Sequence, residues 1–252
     1  MKKIIYYCGF GQRYFQEAII SALSIRSVGG FDGEILVFCD KNHGSSWLDV
    51  YGYEAPKVTF VPLGEKEPKD AAAFRLKALN YIEYTEDITL LYLDTDIVCI
   101  RPIDWPKLFS ICDLNLVNLY GYPDRTQDNP NMAGLVTDDK NILAQKAFCS
   151  GLLLFRPLNS ISQSFDETLQ RYALQQNINF CWEQPMLSYV LLKNKMANIT
   201  LEKYVNELRN PAADKQEAFF NHLCGLRSEE RPAQMINLLE LALHKINTNF
   251  WR

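Results

Sequence analysis

Ile88-Thr89-Leu90-Leu91-Tyr92-Leu93-Asp94-Thr95-Asp96 is the stretch on which the reading of this chain turns. Its first six residues are aliphatic, aromatic or β-branched, which predicts a buried strand. Two carboxylates then stand at the tip of that strand. Residues two apart on a strand share a face, so Asp94 and Asp96 can reach one cation while Thr95 points away. Hard divalent ions such as Mg²⁺ and Mn²⁺ prefer carboxylate and phosphate oxygens. The plain alternative is a solvated turn. The apolar Ile97-Val98-Cys99-Ile100 that follows argues against it, because a core segment is rarely interrupted by two charges unless they are used.

Toward the amino terminus, short apolar runs alternate with helix-period segments: Lys3 to Cys8, Arg13 to Ser27, Glu34 to Cys39, Val58 to Pro62, Ala71 to Tyr84, then Ile88 to Leu93. That rhythm predicts an α/β fold with a largely parallel sheet. The first helix sets Phe15, Ile19, Ala22 and Leu23 on one face and stops at Gly29-Gly30. Ligands of such sheets bind beyond the carboxyl ends of the strands, where Tyr6 to Gly11, Asp40 and Asp94 to Asp96 should meet. Toward the carboxyl terminus, strands are expected at Asp113 to Leu119 and Gly151 to Phe155, with Arg101-Pro102 ending an edge strand. Helices are expected at about Ser162 to Gln175, Glu183 to Lys193 and Pro232 to Lys245, and a long polar loop at Gly121 to Lys140.

A chain of 252 residues without a Pro/Gly/Ser-rich linker reads as one domain. Its net charge of −4 and the absence of a basic stripe give no reason to expect nucleic acid as a partner. Lys2-Lys3 precede an apolar stretch, Ile4 to Cys8, too short for a signal peptide, so the expected location is cytoplasmic and the sequon Asn198-Ile199-Thr200 goes unused. The seven cysteines are scattered without a C-x-x-C pair and read as buried thiols. There are no repeats, heptads or membrane-spanning runs. The terminal Asn249-Phe250-Trp251-Arg252 joins aromatics to a cation, which suits either a packed tail or peripheral docking on a partner or membrane surface.

Other candidates carry plainer alternatives. Gly9-Phe10-Gly11 suits a tight strand-to-helix turn better than a dinucleotide fingerprint, since Tyr14 stands where the third glycine belongs. Arg75 and Lys77 read as a solvated helix face or, beside an acidic site, as cations for a diphosphate. His222 lies in a segment that reads as loop; imidazole is an acceptable ligand for Mn²⁺. Glu183 suits the first turn of a helix through the dipole, with Pro185 next to it.

Phe74 to Ile82 followed by Leu90 to Pro102 resembles the retaining nucleotide-sugar glycosyltransferases of the glycogenin and lipooligosaccharide galactosyltransferase type, glycosyltransferase family 8, which have the GT-A fold. Tyr6-Tyr7-Cys8-Gly9 is similar to the family's nucleobase-contacting strand, and Phe148 to Phe155 to its N-A-G strand. Glu183-Gln184 is similar to its D-Q-D segment, and His222-Leu223-Cys224-Gly225 to its H-F-x-G segment. The resemblance implies one GT-A domain. Residues 1–101 would form the nucleotide-sugar half and 102–252 the acceptor half. It implies Mn²⁺ (or Mg²⁺) on Asp94, Asp96 and His222, bridging the diphosphate of a UDP-sugar. Tyr6, Tyr7, Gly9, Arg75, Lys77, Thr95, Ser150, Gly151, Gly225 and Arg227 would line the donor site. Glu183 and Gln184 would orient sugar hydroxyls for transfer to a glycan or glycoconjugate acceptor. The sequence departs from the family at Pro185, which replaces the second acid of D-Q-D, at Cys149-Ser150, and at Arg227-Ser228, where the family has K-P-W. Two rival readings are a silent sugar-nucleotide or glycan-binding module of the same fold and a sugar nucleotidyltransferase.

Overall fold

The continuous apolar runs become strands buried on both faces. β1 (Lys2–Cys8) buries Ile4 to Tyr7, β2 (Glu34–Cys39) buries Ile35 to Cys39, and β4 (Ile88–Leu93) buries all its residues. Such strands are those of a parallel sheet covered by helices. The computed structural model describes residues 2–83, 87–114, 119–120, 137–143, 145, 147, 149–175, 182–207, 215–224, 226–227 and 229–249. With β3 (Thr59–Pro62), β6 (Leu119–Tyr120), β7 (Leu152–Phe155) and β8 (Ala197–Asn198), the larger sheet has the order β3-β2-β1-β4-β7-β6-β8. The chain divides into two compact units, each drawing on segments from both sides of residue 101.

Unit I comprises Ile4–Lys66, Leu93–Leu108 and Lys203–Arg252. Here β1 pairs in parallel with β2, Ile4 facing Glu34, and β2 in parallel with β3, Leu36 facing Thr59. Helix α1 (Gln12–Ser27) follows Gly11, whose φ of +85° favours glycine. Its stripe Phe15, Ala18, Ile19, Ala22 and Leu23 is buried, at about 1.5–3 kcal/mol for each large apolar side chain. Gly29 then lets β5 (Ile97–Cys99) come close: a Cβ there would lie 2.8 Å from the Ile25 carbonyl oxygen and 3.1 Å from Cys99 Sγ. The Cys99 N–H donates to Ser24 Oγ at 2.9 Å, tying β5 to α1. A small sheet, β5-β10-β9, sets β10 (Phe220–His222) antiparallel to β5 and parallel to β9 (Val205–Glu207). The last helix, α7 (Arg231–Asn249), packs on α1 and buries Met235, Ile236, Leu239 and Ala242.

Unit II comprises Met1–Lys3, Glu67–Tyr92 and Phe109–Glu202. Its helices are α2 (Pro68–Lys77), α4 (Lys140–Leu143), α5 (Asn159–Leu174) and α6 (Gln184–Lys193), and α5 packs on both α2 and α6. β6 runs antiparallel to β7 and parallel to β8. Ala73, Tyr172 and Met186 form a core with Leu169 against it.

The mixed, mostly parallel α/β sheet agrees with the sequence, with local corrections. Asp113 and Leu114 belong to a helix, α3 (Trp105–Leu114), and the strand begins only at Leu119. Helical spacing of buried Trp105, Leu108, Phe109 and Cys112 explains this, with Asp104 Oδ1 accepting from the Lys107 N–H at 3.0 Å. The second helix starts earlier than expected, with Pro68 in its first turn, and tightens into a 3₁₀ turn over Ala78–Tyr81. His222 lies on a strand, not a loop. The expected loop at Gly121 to Lys140 falls outside the described residues up to residue 136, as do Cys181 and the aromatic tail from Phe250. Cys39, Cys99, Cys112 and Cys149 are buried thiols, and Cys8 and Cys224 are half-buried ones. Among the described residues no helix is long and apolar enough to cross a membrane.

Candidate metal centre and its surroundings

The strand β4 ends at Leu93, and Asp94-Thr95-Asp96 forms a tight turn into β5 rather than an extended tip, the Ile97 N–H donating to the Asp94 carbonyl at 3.3 Å. The turn still brings both carboxylates to one place. The antiparallel pairing of β10 with β5 sets His222 opposite Ile97, and the Leu223 N–H donates to the Asp96 carbonyl at 3.0 Å. His222 Nε2 consequently lies 3.2 Å from Asp96 Oδ1 and 3.8 Å from Asp94 Oδ2. One ligand atom from each of the three residues falls within 4.8 Å of the others. Neighbouring donors around an octahedral ion with bonds of about 2.1 Å are about 3 Å apart, so the spacing suits a first-row divalent cation. Two carboxylates and one imidazole suit Mn²⁺ better than Ca²⁺. Asp96 and His222 are buried, while Asp94 remains partly open to solvent.

Beneath this cluster lies a charged layer that the sequence reading missed. Arg231 Nη1 donates to Asp96 Oδ2 at 2.8 Å. Its Nε lies 3.7 Å from Glu17 Oε1, and Arg13 Nε lies 3.7 Å from the same oxygen. Glu17 is wholly buried on α1 and accepts a hydrogen bond from Thr95 Oγ1 at 2.8 Å through its other oxygen. Thr95 therefore turns away from the cluster, through the turn and not through strand alternation, and serves as the tie to Glu17. Burial raises the Asp96 carboxyl, but the positive charges of His222 and Arg231 outweigh it and hold the group at about 2. In Glu17 burial dominates: despite Arg231, Thr95 and Arg13, and with Asp96 adding to the rise, its carboxyl is pushed up to about 7.

At the end of β1, Gly9 is packed against α1, where a Cβ would come 3.0 Å from the Tyr14 carbonyl oxygen. The Gly11 N–H donates to Asp40 Oδ1 at 2.9 Å, and His43 Nε2 lies 3.0 Å from that same oxygen. Burial opposes ionisation of Asp40, but these two bonds hold its carboxyl below the usual range. Tyr6 and Tyr7 were expected to face a nucleobase. Both are fully buried, and Tyr7 accepts a hydrogen bond from Ser21 Oγ at 3.1 Å, so their rings belong to the core and offer no surface to a ligand.

Unit II carries a second polar constellation. Arg75 on α2 places Nε 3.0 Å from Glu183 Oε1 and donates through Nη1 to the Ser150 carbonyl at 3.0 Å and to Ser150 Oγ at 3.2 Å. Gln184 Oε1 accepts from the Ser150 N–H at 3.0 Å and from its hydroxyl at 3.2 Å. Glu183 is fully buried at the residue before α6, and Arg75, Ser150, Glu183 and Gln184 form one network beside Gly151. Lys77 is not drawn in; it reaches Asp70 at 3.4 Å on an exposed face. Arg227 is exposed, and Gly225 lies outside the described residues.

No family model matches the chain, and no curated protein matches it. Solved structures do. A crystal structure of the galactosyltransferase LgtC in complex with donor and acceptor sugar analogs superposes with a TM-score of 0.65 at 15% identity, covering 94% of this chain and 95% of that one. A structure of an active-site mutant of LgtC gives 0.64 at 14% identity, with the same coverage. At that identity the likeness is one of architecture, and this chain has the fold of the galactosyltransferase LgtC.

Proposed function

We propose that this protein is a metal-dependent glycosyltransferase that moves a sugar from a UDP-sugar to a glycan or glycoconjugate acceptor, with retention of anomeric configuration. The observation that supports it most is the convergence of Asp94, Asp96 and His222 on a fold shared with a galactosyltransferase. These three residues would hold a divalent ion, which when bound supplies Lewis-acid charge to the phosphate oxygens of the leaving diphosphate. Holding that ion on a rigid turn between two buried strands costs no reorganisation as charge develops on the leaving group. In unit II, Glu183 is already committed to Arg75. It therefore suits orientation of sugar hydroxyls better than nucleophilic attack. Gln184, with Ser150 fixing its amide oxygen, presents a set geometry for the same task.

The test is Mn²⁺-dependent release of UDP across a panel of UDP-sugars by the wild type, Asp94→Asn and Asp96→Asn, with folding followed by circular dichroism. Both substitutions should abolish turnover in chains that remain folded. Wild-type turnover in either variant refutes the reading. Tight UDP binding without turnover of any donor by the wild type assigns the chain to the silent module instead.

A further inference from the structure

We propose that Arg231 is a resident cation on the metal ligand Asp96, anchored by Glu17, and that its fixed charge weakens the binding of the divalent ion to the bare protein. The inference rests on the reading of Asp94, Asp96 and His222 as a metal site. Asp96 is shared: Oδ1 faces His222 at 3.2 Å, and Oδ2 takes the guanidinium at 2.8 Å. Arg231 is not a loose surface cation that solvent would screen. Its side chain is largely buried at the first residue of α7, followed by Pro232, and α7 is packed along α1, which carries Glu17. Glu17 is held in turn by Thr95 and by Arg13. Among the described residues its Oε1 has no hydrogen bond and faces two guanidinium nitrogens 3.7 Å away, so Arg231 is an electrostatic counterpart of Glu17 as well as of Asp96.

An ion held by Asp96 would therefore share that carboxylate with a positive charge that Glu17 holds in place, with Arg13 as a second guanidinium at the same 3.7 Å from Glu17 Oε1. A unit charge about 5 Å from a divalent ion, even at the dielectric constant of water, lowers its affinity roughly tenfold or more. The consequence is order. The protein takes its ion together with the donor diphosphate, whose negative charge offsets Arg231, rather than loading it beforehand.

The experiment is Mn²⁺ titration of the full chain without nucleotide, read by loss of the free-ion electron paramagnetic resonance signal, for the wild type, Arg231→Gln, Arg231→Lys and Asp96→Asn. Because Arg231→Gln takes one of the two guanidinium groups from buried Glu17, the double variant Glu17→Gln/Arg231→Gln guards against misfolding. Removing the charge should tighten Mn²⁺ binding about tenfold or more in the single variant, and by a smaller factor in the double variant, which also loses the more distant Glu17 carboxylate. Arg231→Lys should stay within about threefold of the wild type. Tightening in the variants when the wild type shows no binding also supports the inference. Unchanged or weaker binding in both the single and the double variant overturns it, weaker binding meaning that Arg231 serves to orient Asp96. If that failure accompanies wild-type binding that Asp96→Asn abolishes, the metal site stands and only the inference falls. If no variant binds Mn²⁺, the inference falls, and the metal site is then decided by the Mn²⁺-dependent release of UDP.

Discussion

Glu17→Gln offers a quantitative check on the charged layer beneath the candidate metal centre. The glutamate is fully buried on α1, and its carboxyl is pushed from the ordinary 4.5 up to about 7, because burial outweighs the guanidinium groups and the Thr95 hydroxyl. Between those two values the native chain keeps a proton here that the unfolded chain has released. Its stability must fall as pH rises through the window. At about 1.4 kcal/mol per tenfold in proton affinity, the loss between pH 5 and pH 8 is about 2–3 kcal/mol. Glutamine cannot titrate and keeps an oxygen to accept from Thr95. Urea unfolding of both proteins in chelator at pH 5 and pH 8 isolates the effect, since every other titrating group cancels in the difference. Asp96, held at about 2, contributes stability that is lost only well below this range. The difference between wild type and variant should swing toward the variant by about 2–3 kcal/mol from pH 5 to pH 8. A swing under about 1 kcal/mol, or one in the opposite direction, refutes the claim that desolvation dominates at Glu17.

Two further substitutions probe the scaffold. Arg75→Met takes the guanidinium from a fully buried Glu183, 3.0 Å away, and should cost about 3–5 kcal/mol in urea unfolding, most of it recovered when Glu183→Gln is added; a loss under about 1 kcal/mol means the pair is not desolvated in solution. Gly29→Ala places a Cβ 2.8 Å from the Ile25 carbonyl oxygen and 3.3 Å from the Trp105 ring. The resulting strain of about 1–3 kcal/mol should outweigh the gain of about 0.4–1 kcal/mol from a stiffer unfolded chain, lowering the thermal midpoint; a raised midpoint shows that β5 and α1 are not so closely packed.

What the sequence disclosed and what it hid follow a physical division. The strand Ile88 to Leu93 and the stripe Phe15 to Leu23 were legible because their pattern is local, set by which side chains must leave water. Asp94 and Asp96 were legible because a pair of charges at the end of an apolar run breaks that pattern. Asp113 and Leu114 were misread because a helix with Trp105, Leu108, Phe109 and Cys112 on its buried face is interrupted by polar residues that resemble a turn. Arg231 and Glu17 were not legible as site residues at all. Arg231 stands 135 positions from Asp96, and Thr95 stands 78 from Glu17. The mutual packing of α1, β5 and α7 brings the charges together. Glu17 did leave one trace, a lone carboxylate directly before the buried run Ala18 to Ile25. An acid in such a place demands a partner, since an unpaired buried charge would cost the fold several kcal/mol. The same demand connects the scaffold to the proposed chemistry: a guanidinium that faces Glu17 also grips Asp96, so a change at Arg231 should register both in the affinity of the candidate metal centre and in the stability of the helix pair beneath it.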